Sequence, residues 1–153
     1  MTFRIYTMTG KAPAKSNRYG VYVIEAVDEE GTPIRTWQRS GSCTDATRNE
    51  AEVMVLLAAW KKMKQIRGAR PKLTVEIYTE SEHLHRSVTV WMKDWKRDGW
   101  KNSKGEPVAD RERWEELELV FSQEEASWHV GEEHTYRRWM QYMIDRRKEK
   151  PNV

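Results

Sequence analysis

Residues 91–114 read WMKDWKRDGWKNSKGEPVADRERW. Trp91 and Trp95 stand four apart, the spacing that stacks side chains on one face of a helix. Gly99 and the NSKGEP segment at residues 102–107 break that helix, so Trp100 sits at a turn and Trp114 on a fresh helix starting near Asp110. Lys93, Lys96, Arg97, Lys101 and Lys104 are threaded between the tryptophans. Flat aromatic surfaces interleaved with phosphate-seeking cations suit a nucleic-acid groove. They equally suit a plainer arrangement, in which the indoles pack together and the cations keep a projecting segment in water. Asp94, Asp98 and Glu106 dilute the positive charge in either case.

Upstream, Phe3, Ile5 and Thr7 alternate with Arg4 and Tyr6, and residues 19–27 (YGVYVIEAV) are rich in β-branched and aromatic side chains. Both segments read as strands, separated by the loop GKAPAKSNR. A turn at residues 28–31 leads to a third strand over 33–39, giving an antiparallel meander. Thr47 with Glu50 forms a capping box, and Glu52, Val55, Leu56, Ala59 and Met63 follow at helical spacing, so a helix runs to about Ile66 and is ended by Gly68 and Pro71. Leu73, Val75 and Ile77 make a fourth strand, and residues 81–95 are helical in character. Beyond the break, Asp110 caps the amides of a helix whose Trp114, Leu117 and Phe121 share a face. Residues 127–130 read as a short last strand, and 135–148 as a last helix with Trp139, Met140, Met143 and Ile144 at helical spacing. The order β-β-β-α-β-α-α-β-α predicts an α/β fold, a mixed sheet covered by helices. It is expected as one domain over residues 1–148 with a short tail at 149–153.

The 153 residues suffice for one domain with a core, and eight Trp and six Tyr supply apolar surface that a 33% charged chain otherwise lacks, which argues against global disorder. No apolar run approaches the roughly 20 residues of a spanning helix. The first residues, MTFRIYTMTG, lack a signal-peptide pattern, so a cytoplasmic monomer is expected. The one cysteine, Cys43, excludes an internal disulfide and a Cys-based zinc site. A net charge of +3 permits a nucleic-acid partner without demanding one. Neither GxGxxG nor GxxxxGK[ST] occurs.

In its spaced tryptophans, its KxxGWK run and its PV-to-W spacing, the segment at 91–114 closely resembles the basic protrusion of bacterial ribonuclease H type I. IYTMTG at residues 5–10 resembles that family's first strand, I-x-T-D-G-S. TRNEAE at 47–52 resembles its T-N-N-x-x-E helix start, and YTESEHL at 78–84 its T-D-S-x-x-hydrophobic strand end. The resemblance implies a five-stranded mixed sheet ordered 3-2-1-4-5 with helices on both faces, strands 1 and 4 adjacent and the long helix packed against them.

It also implies a chemistry. The family's four carboxylates hold two Mg²⁺ ions about 4 Å apart, one activating water and the other stabilising the leaving oxygen as the RNA strand of a hybrid is cut. Here Met8 occupies the position of the metal-bridging Asp, and a soft, uncharged thioether cannot replace a hard bridging carboxylate. Glu52 is retained. Glu80 stands where the family has Asp, longer by one C–C bond of about 1.5 Å against a useful tolerance of about 0.5 Å. After the last strand the family reads a G-H loop and an N-x-x-x-D helix, whereas this chain reads WHVGEEHTYRRWMQYMIDRR at 128–147. Gly131 and His134 match the loop, and the aspartate position falls at Gln141 to Tyr142. The nearest acid, Asp145, lies one turn, about 5.4 Å, farther along. The expectation is a pseudoenzyme with the catalytic vestiges Glu52, Glu80 and Asp145 and no metal cofactor. Mg²⁺ or Mn²⁺, on Glu52 and Glu80, matters only if activity survives. The aromatic set around His134, Tyr136, Trp139, Met140 and Met143 is expected to pack the last helix on the sheet, and a second expectation is that bulky side chains, Met8 among them, fill the old cleft nearby.

Binding of an RNA/DNA hybrid or duplex is assigned to Thr47, Arg48 and Asn49, where the family touches phosphate and 2′-hydroxyls, and to Lys93, Trp95, Lys96, Arg97, Trp100, Lys101 and Lys104 of the protrusion. Arg48 keeps a grip on phosphate but loses the paired donor and acceptor of the family's first Asn, and capping alone could explain Thr47. Two other readings stand beside this one: a slow, active endonuclease, and a protein-interaction module. His83, His85, His129 and His134 lack the HExxH spacing and read as ordinary surface histidines.

Overall fold

The computed structural model describes residues 1–13, 17–68, 73–121 and 125–149. Its strands are β1 Thr2–Lys11, β2 Arg18–Val27, β3 Pro33–Cys43, β4 Thr74–Thr79 and β5 Glu125–Val130. They form one sheet ordered β3-β2-β1-β4-β5, the order implied by the resemblance. β2 pairs antiparallel with β1 and β3, while β4 runs parallel to both β1 and β5. The helices are α1 Arg48–Arg67, α2 Glu82–Arg86, α3 Met92–Arg97, α4 Arg111–Phe121 and α5 Arg137–Glu149, and a π-helical turn, Ser87–Trp91, joins α2 to α3.

The period of two along each strand splits the core into two layers. Phe3 and Ile5 of β1 with Ile24 and Ala26 of β2 meet Leu56, Trp60 and Met63 of α1 on one face. Tyr6, Met8, Tyr19, Val21 and Val23 meet Met140 and Ile144 of α5 on the other. Close approach at the site end of the sheet depends on two glycines. A Cβ on Gly20 would lie 2.3 Å from a Val55 methyl of α1, and one on Gly10 would lie 2.6 Å from an Ile144 methyl of α5.

α1 begins as its sequence predicts: the Thr47 hydroxyl accepts the Glu50 N–H at 3.2 Å and lies 3.1 Å from the Glu50 carboxylate. It ends at Gly68, whose φ of 60° lies in the left-handed region and whose N–H donates to the Lys64 carbonyl. Two boundaries differ from expectation. β3 runs on to Cys43 because Ser40, Gly41 and Ser42 pair with Val21, Gly20 and Tyr19, a ladder that needs backbone groups and no apolar side chain. β1 and β2 likewise take Gly10, Lys11 and Arg18 from the predicted loop. At α4, Asp110 has φ 61° and its carboxylate holds the Arg113 guanidinium at 2.5 Å, while its carbonyl, in place of its side chain, accepts the amides of Arg113 and Trp114. Pro71, the Phe121 side chain and the tail at 150–153 lie outside the described residues.

Candidate functional site

A cleft of about 700 Å³ opens where the C-terminal ends of β1 and β4 meet the first turns of α1 and α5. Five cationic side chains (Lys11, Arg18, Arg48, Arg137, Arg138) and three carboxylates (Glu52, Glu80, Glu133) line it. Glu52 projects from the second turn of α1 and is only 2% exposed. Its Oε1 accepts the Thr9 hydroxyl at 2.8 Å, and its Oε2 is buried without a hydrogen-bond partner. Burial pushes this carboxyl above the ordinary carboxylate range, against the Thr9 hydrogen bond and the charges of Arg48 and Arg18. Glu80 follows β4 directly. Arg137 grips it with a fork, Nε to Oε1 at 3.0 Å and Nη2 to Oε2 at 3.5 Å, and also pairs with Glu133.

Met8 faces the α5 layer and lines the cleft. Asp145 does not line it: that carboxylate is 53% exposed, accepts from the Gln141 amide at 3.0 Å and lies 3.7 Å from Lys148. Gln141, one turn earlier, takes the place facing the cleft. The expected filling by bulky side chains is not found. Tyr136, Trp139 and Met140 pack in the layer between α5 and the sheet, and His134 lies against Tyr6 at 4.7 Å with its Nδ1 accepting the Tyr136 N–H. Burial lowers the basicity of that imidazole.

Sequence reading missed a buried polar relay behind the cleft. Glu25, 3% exposed near the C-terminal end of β2, accepts from Arg4 at 3.1 Å, from the Tyr6 hydroxyl at 3.3 Å and from the Tyr136 hydroxyl, and Arg4 also reaches Glu76 at 2.8 Å. Burial and the neighbouring Glu25 push the Tyr136 phenol up to about 12. The register places Arg4 directly between Glu25 and Glu76, so three in-strand charges at matching positions were the available signal. The relay ties Tyr136, and with it the adjacent Arg137, to three strands.

The comparisons with known proteins bear on this fold and this cleft. The RNase H family model matches residues 5–138. The chain belongs to the RNase H family. It is 36% identical over 103 residues to the ribonuclease H of Syntrophotalea carbinolica, covering 65% of this chain and 64% of that one. To the ribonuclease H of Marinobacter nauticus it is 30% identical over 95 residues, covering 62% and 60%. The chain thus spans less than two thirds of these curated relatives' length. Among solved structures it resembles LC9-RNase H1, a type 1 RNase H with the type 2 active-site motif, with a TM-score of 0.70 at 17% identity over 97% of this chain and 72% of that one. It also resembles LC11-RNase H1 in complex with RNA/DNA hybrid, with a TM-score of 0.62 at 19% identity over 94% and 97%. At these identities the likeness is one of fold.

RNase H chemistry calls for paired divalent cations, and the donor set here does not fit them. The bridging position offers a thioether, both oxygens of Glu80 are held by a guanidinium, Glu52 is 2% exposed with one oxygen taken by Thr9, and Asp145 lies outside the cleft. Among the described residues, no group of three or more His, Cys, Asp or Glu side chains converges as a metal site.

In the RNase H protrusion, the indoles of Trp91, Trp95, Trp100 and Trp114 pack on one another, with centroids 5.6–6.4 Å apart. Trp100 is 8% exposed and offers no stacking surface, and Trp95 is half-buried against the core. Lys96 pairs with Glu118, and Arg97 with Asp94 and Asp98. Lys93, Lys101 and Lys104, and Arg48 and Asn49 at the α1 start, are exposed, and their side chains form no ion pair with a described residue. The histidines are half-buried, in correction of the surface reading: His83 packs against Trp91, His85 against Trp128 and His129 on Tyr78. Among the described residues, no helix is long and apolar enough to cross a membrane.

Proposed function

We propose that the chain is a metal-independent nucleic-acid-binding member of the RNase H family that docks RNA/DNA hybrid or duplex without cutting it. Docking uses the exposed Lys93, Lys101 and Lys104 of the protrusion with Thr47, Arg48 and Asn49 at the start of α1; Lys96, Arg97, Trp95 and Trp100 support that surface by ion pairing and packing. The observation that carries the reading is the forked Glu80–Arg137 pair, which spends on a guanidinium the carboxylate that hydrolysis would need for a metal. The test is anisotropy of a labelled hybrid together with a cleavage assay in Mg²⁺ and in Mn²⁺. The expected result is salt-steep binding, because phosphate contacts release counterions, with no cleavage. Protein-dependent cleavage abolished by Glu52→Ala would establish an active nuclease instead, and absence of binding to any nucleic acid would leave the protein-interaction module.

A further inference from the structure

A second depression, of about 300 Å³, adjoins the cleft and is lined by Asn17, Ala46 and Thr47 together with the same Lys11, Arg18 and Arg48. Lys11 and Arg18 are register partners at the end of the β1–β2 hairpin where the loop joins the two strands. Arg48 is the first residue of the 20-residue α1, whose positive dipole end adds to the field. Arg138 sits on the first turn of α5. Glu80 and Glu133 are paired with Arg137, and Glu52 takes the Thr9 hydroxyl on Oε1 only. Lys11, Arg18, Arg48 and Arg138 form no ion pair with any described residue, and Arg18 Nε is buried with no hydrogen-bond partner. Gathered like charges repel, with the buried Glu52 as the one carboxylate that Arg18 and Arg48 are shown to act on, and the ligand that relieves them is an anion. Because the same three cations line both cavities, the anion they suit is an extended one, a run of phosphates.

We propose that Arg137 takes over the electrostatic task of the family's divalent cations, neutralising Glu80 and turning a metal cleft into a metal-independent seat for the backbone phosphates of a nucleic acid, gripped by Lys11, Arg18, Arg48 and Arg138. A guanidinium carries fixed charge and five N–H donors but no acidified water, so it holds a phosphodiester without supplying a nucleophile to cut it. The inference deepens the proposed function and rests on its reading of nucleic acid as the ligand.

The test uses the full chain and a labelled RNA/DNA hybrid at constant ionic strength, in EDTA and in millimolar MgCl₂. Affinity in EDTA is expected to equal or exceed that in MgCl₂, because Mg²⁺ only competes with the protein for the phosphates. Lys11→Gln/Arg138→Gln, two exposed positions, is expected to flatten the slope of log K against log salt by about 1.8, the counterions of two phosphate contacts. Lys101→Ala/Lys104→Ala, measured beside it, probes the protrusion separately. A requirement for Mg²⁺ overturns the inference. If the protrusion variant alone flattens the slope, the inference falls while the binding reading stands. If wild type binds no hybrid, that reading falls, and inorganic phosphate titrated against the arginine side-chain nitrogen resonances decides the cleft. Saturable shifts of Arg137 and Arg138 in wild type, with the Arg137 shift lost in Lys11→Gln/Arg138→Gln, support the seat with free phosphate as its ligand, and no shifts overturn it.

Discussion

Met8→Asp returns a carboxylate to the bridging position, yet the structure predicts a less stable protein with no gain of hydrolysis. Met8 is 6% exposed among Tyr6, Tyr19, Val21, Val23, Met140 and Ile144. Truncating a buried Met costs about 2–5 kcal/mol, and the new charge adds desolvation that the adjoining cleft only partly relieves. A net loss of about 3–5 kcal/mol lowers Tm by roughly 10 °C in a chain of this size. No hydrolysis is expected from this variant, because Arg137 still occupies both oxygens of Glu80 and Asp145 still lies outside the cleft. The first variant in which the new aspartate, Glu52 and Glu80 share the cleft without that guanidinium is Met8→Asp/Arg137→Ala. Urea denaturation and hybrid cleavage in Mn²⁺ are run on both. Glu52-dependent turnover by Met8→Asp alone would refute the argument, since the Glu80–Arg137 pair would then not be the block. A stability loss below about 1 kcal/mol, within the range of ordinary surface substitutions, would show that Met8 is not packed as described.

Glu52 makes stability depend on pH with a definite sign. Its folded-state pKa lies above the ordinary 4.5, so the folded chain holds the proton longer, and stability present below pH 4.5 is lost as pH rises toward the folded value. Glu52→Gln should therefore exceed wild type in urea midpoint at pH 7 and lose that advantage near pH 4, in EDTA throughout; a wild type that is the more stable at pH 7 would contradict this. Thr9→Val removes the Glu52 hydrogen bond and should cost about 1–3 kcal/mol at pH 7, the penalty of a buried acceptor left unmade, and an unchanged midpoint would count against it. Gly20→Ala drives a Cβ into the stiff Val55 side chain at 2.3 Å and should cost about 1–3 kcal/mol by the same measurement, whereas a neutral result would mean that α1 can recede from the sheet.

The elements and their order were legible because their signals are local. Thr47 and Glu50 are three apart, and the strand alternation of Phe3 and Ile5 spans a few residues. The Glu80–Arg137 pair was not legible: its members are 57 positions apart and meet only because β4 lies beside β1 and α5 starts over the same edge. The filled cleft was expected from the right residues on the wrong face. Met140 and Ile144, four apart, point into the sheet, while Arg137 and Gln141, also four apart, share the face that lines the cleft. Reading α5 as one aromatic block merged two faces that helical periodicity separates. Trp100 was similarly ambiguous, because a tryptophan that stacks on bases and one that stacks on its neighbours share the same spacing.

Carboxylates gathered at the end of two parallel strands repel, and a fold that gathers them must bring in positive charge. The RNase H family draws it from solvent as divalent ions, which also carry the water that cuts. In this chain the charge is covalent, supplied by Arg137, and its place is fixed from behind: Tyr136 donates to Glu25, which Arg4 links to Glu76, so the first turn of α5 is fastened to β1, β2 and β4. On our reading the charge state of the cleft is thereby independent of metal supply, and one substitution of cation accounts both for lost scission and for retained affinity toward phosphate. Glu25→Gln separates these consequences. It weakens the anchor of Tyr136 without substituting any cleft residue, so a loosened Arg137 should let Mn²⁺ compete for Glu80, read as Mn²⁺-induced paramagnetic broadening of Glu80 resonances that wild type does not show. Broadening equal in the two proteins would mean that the relay does not position the guanidinium.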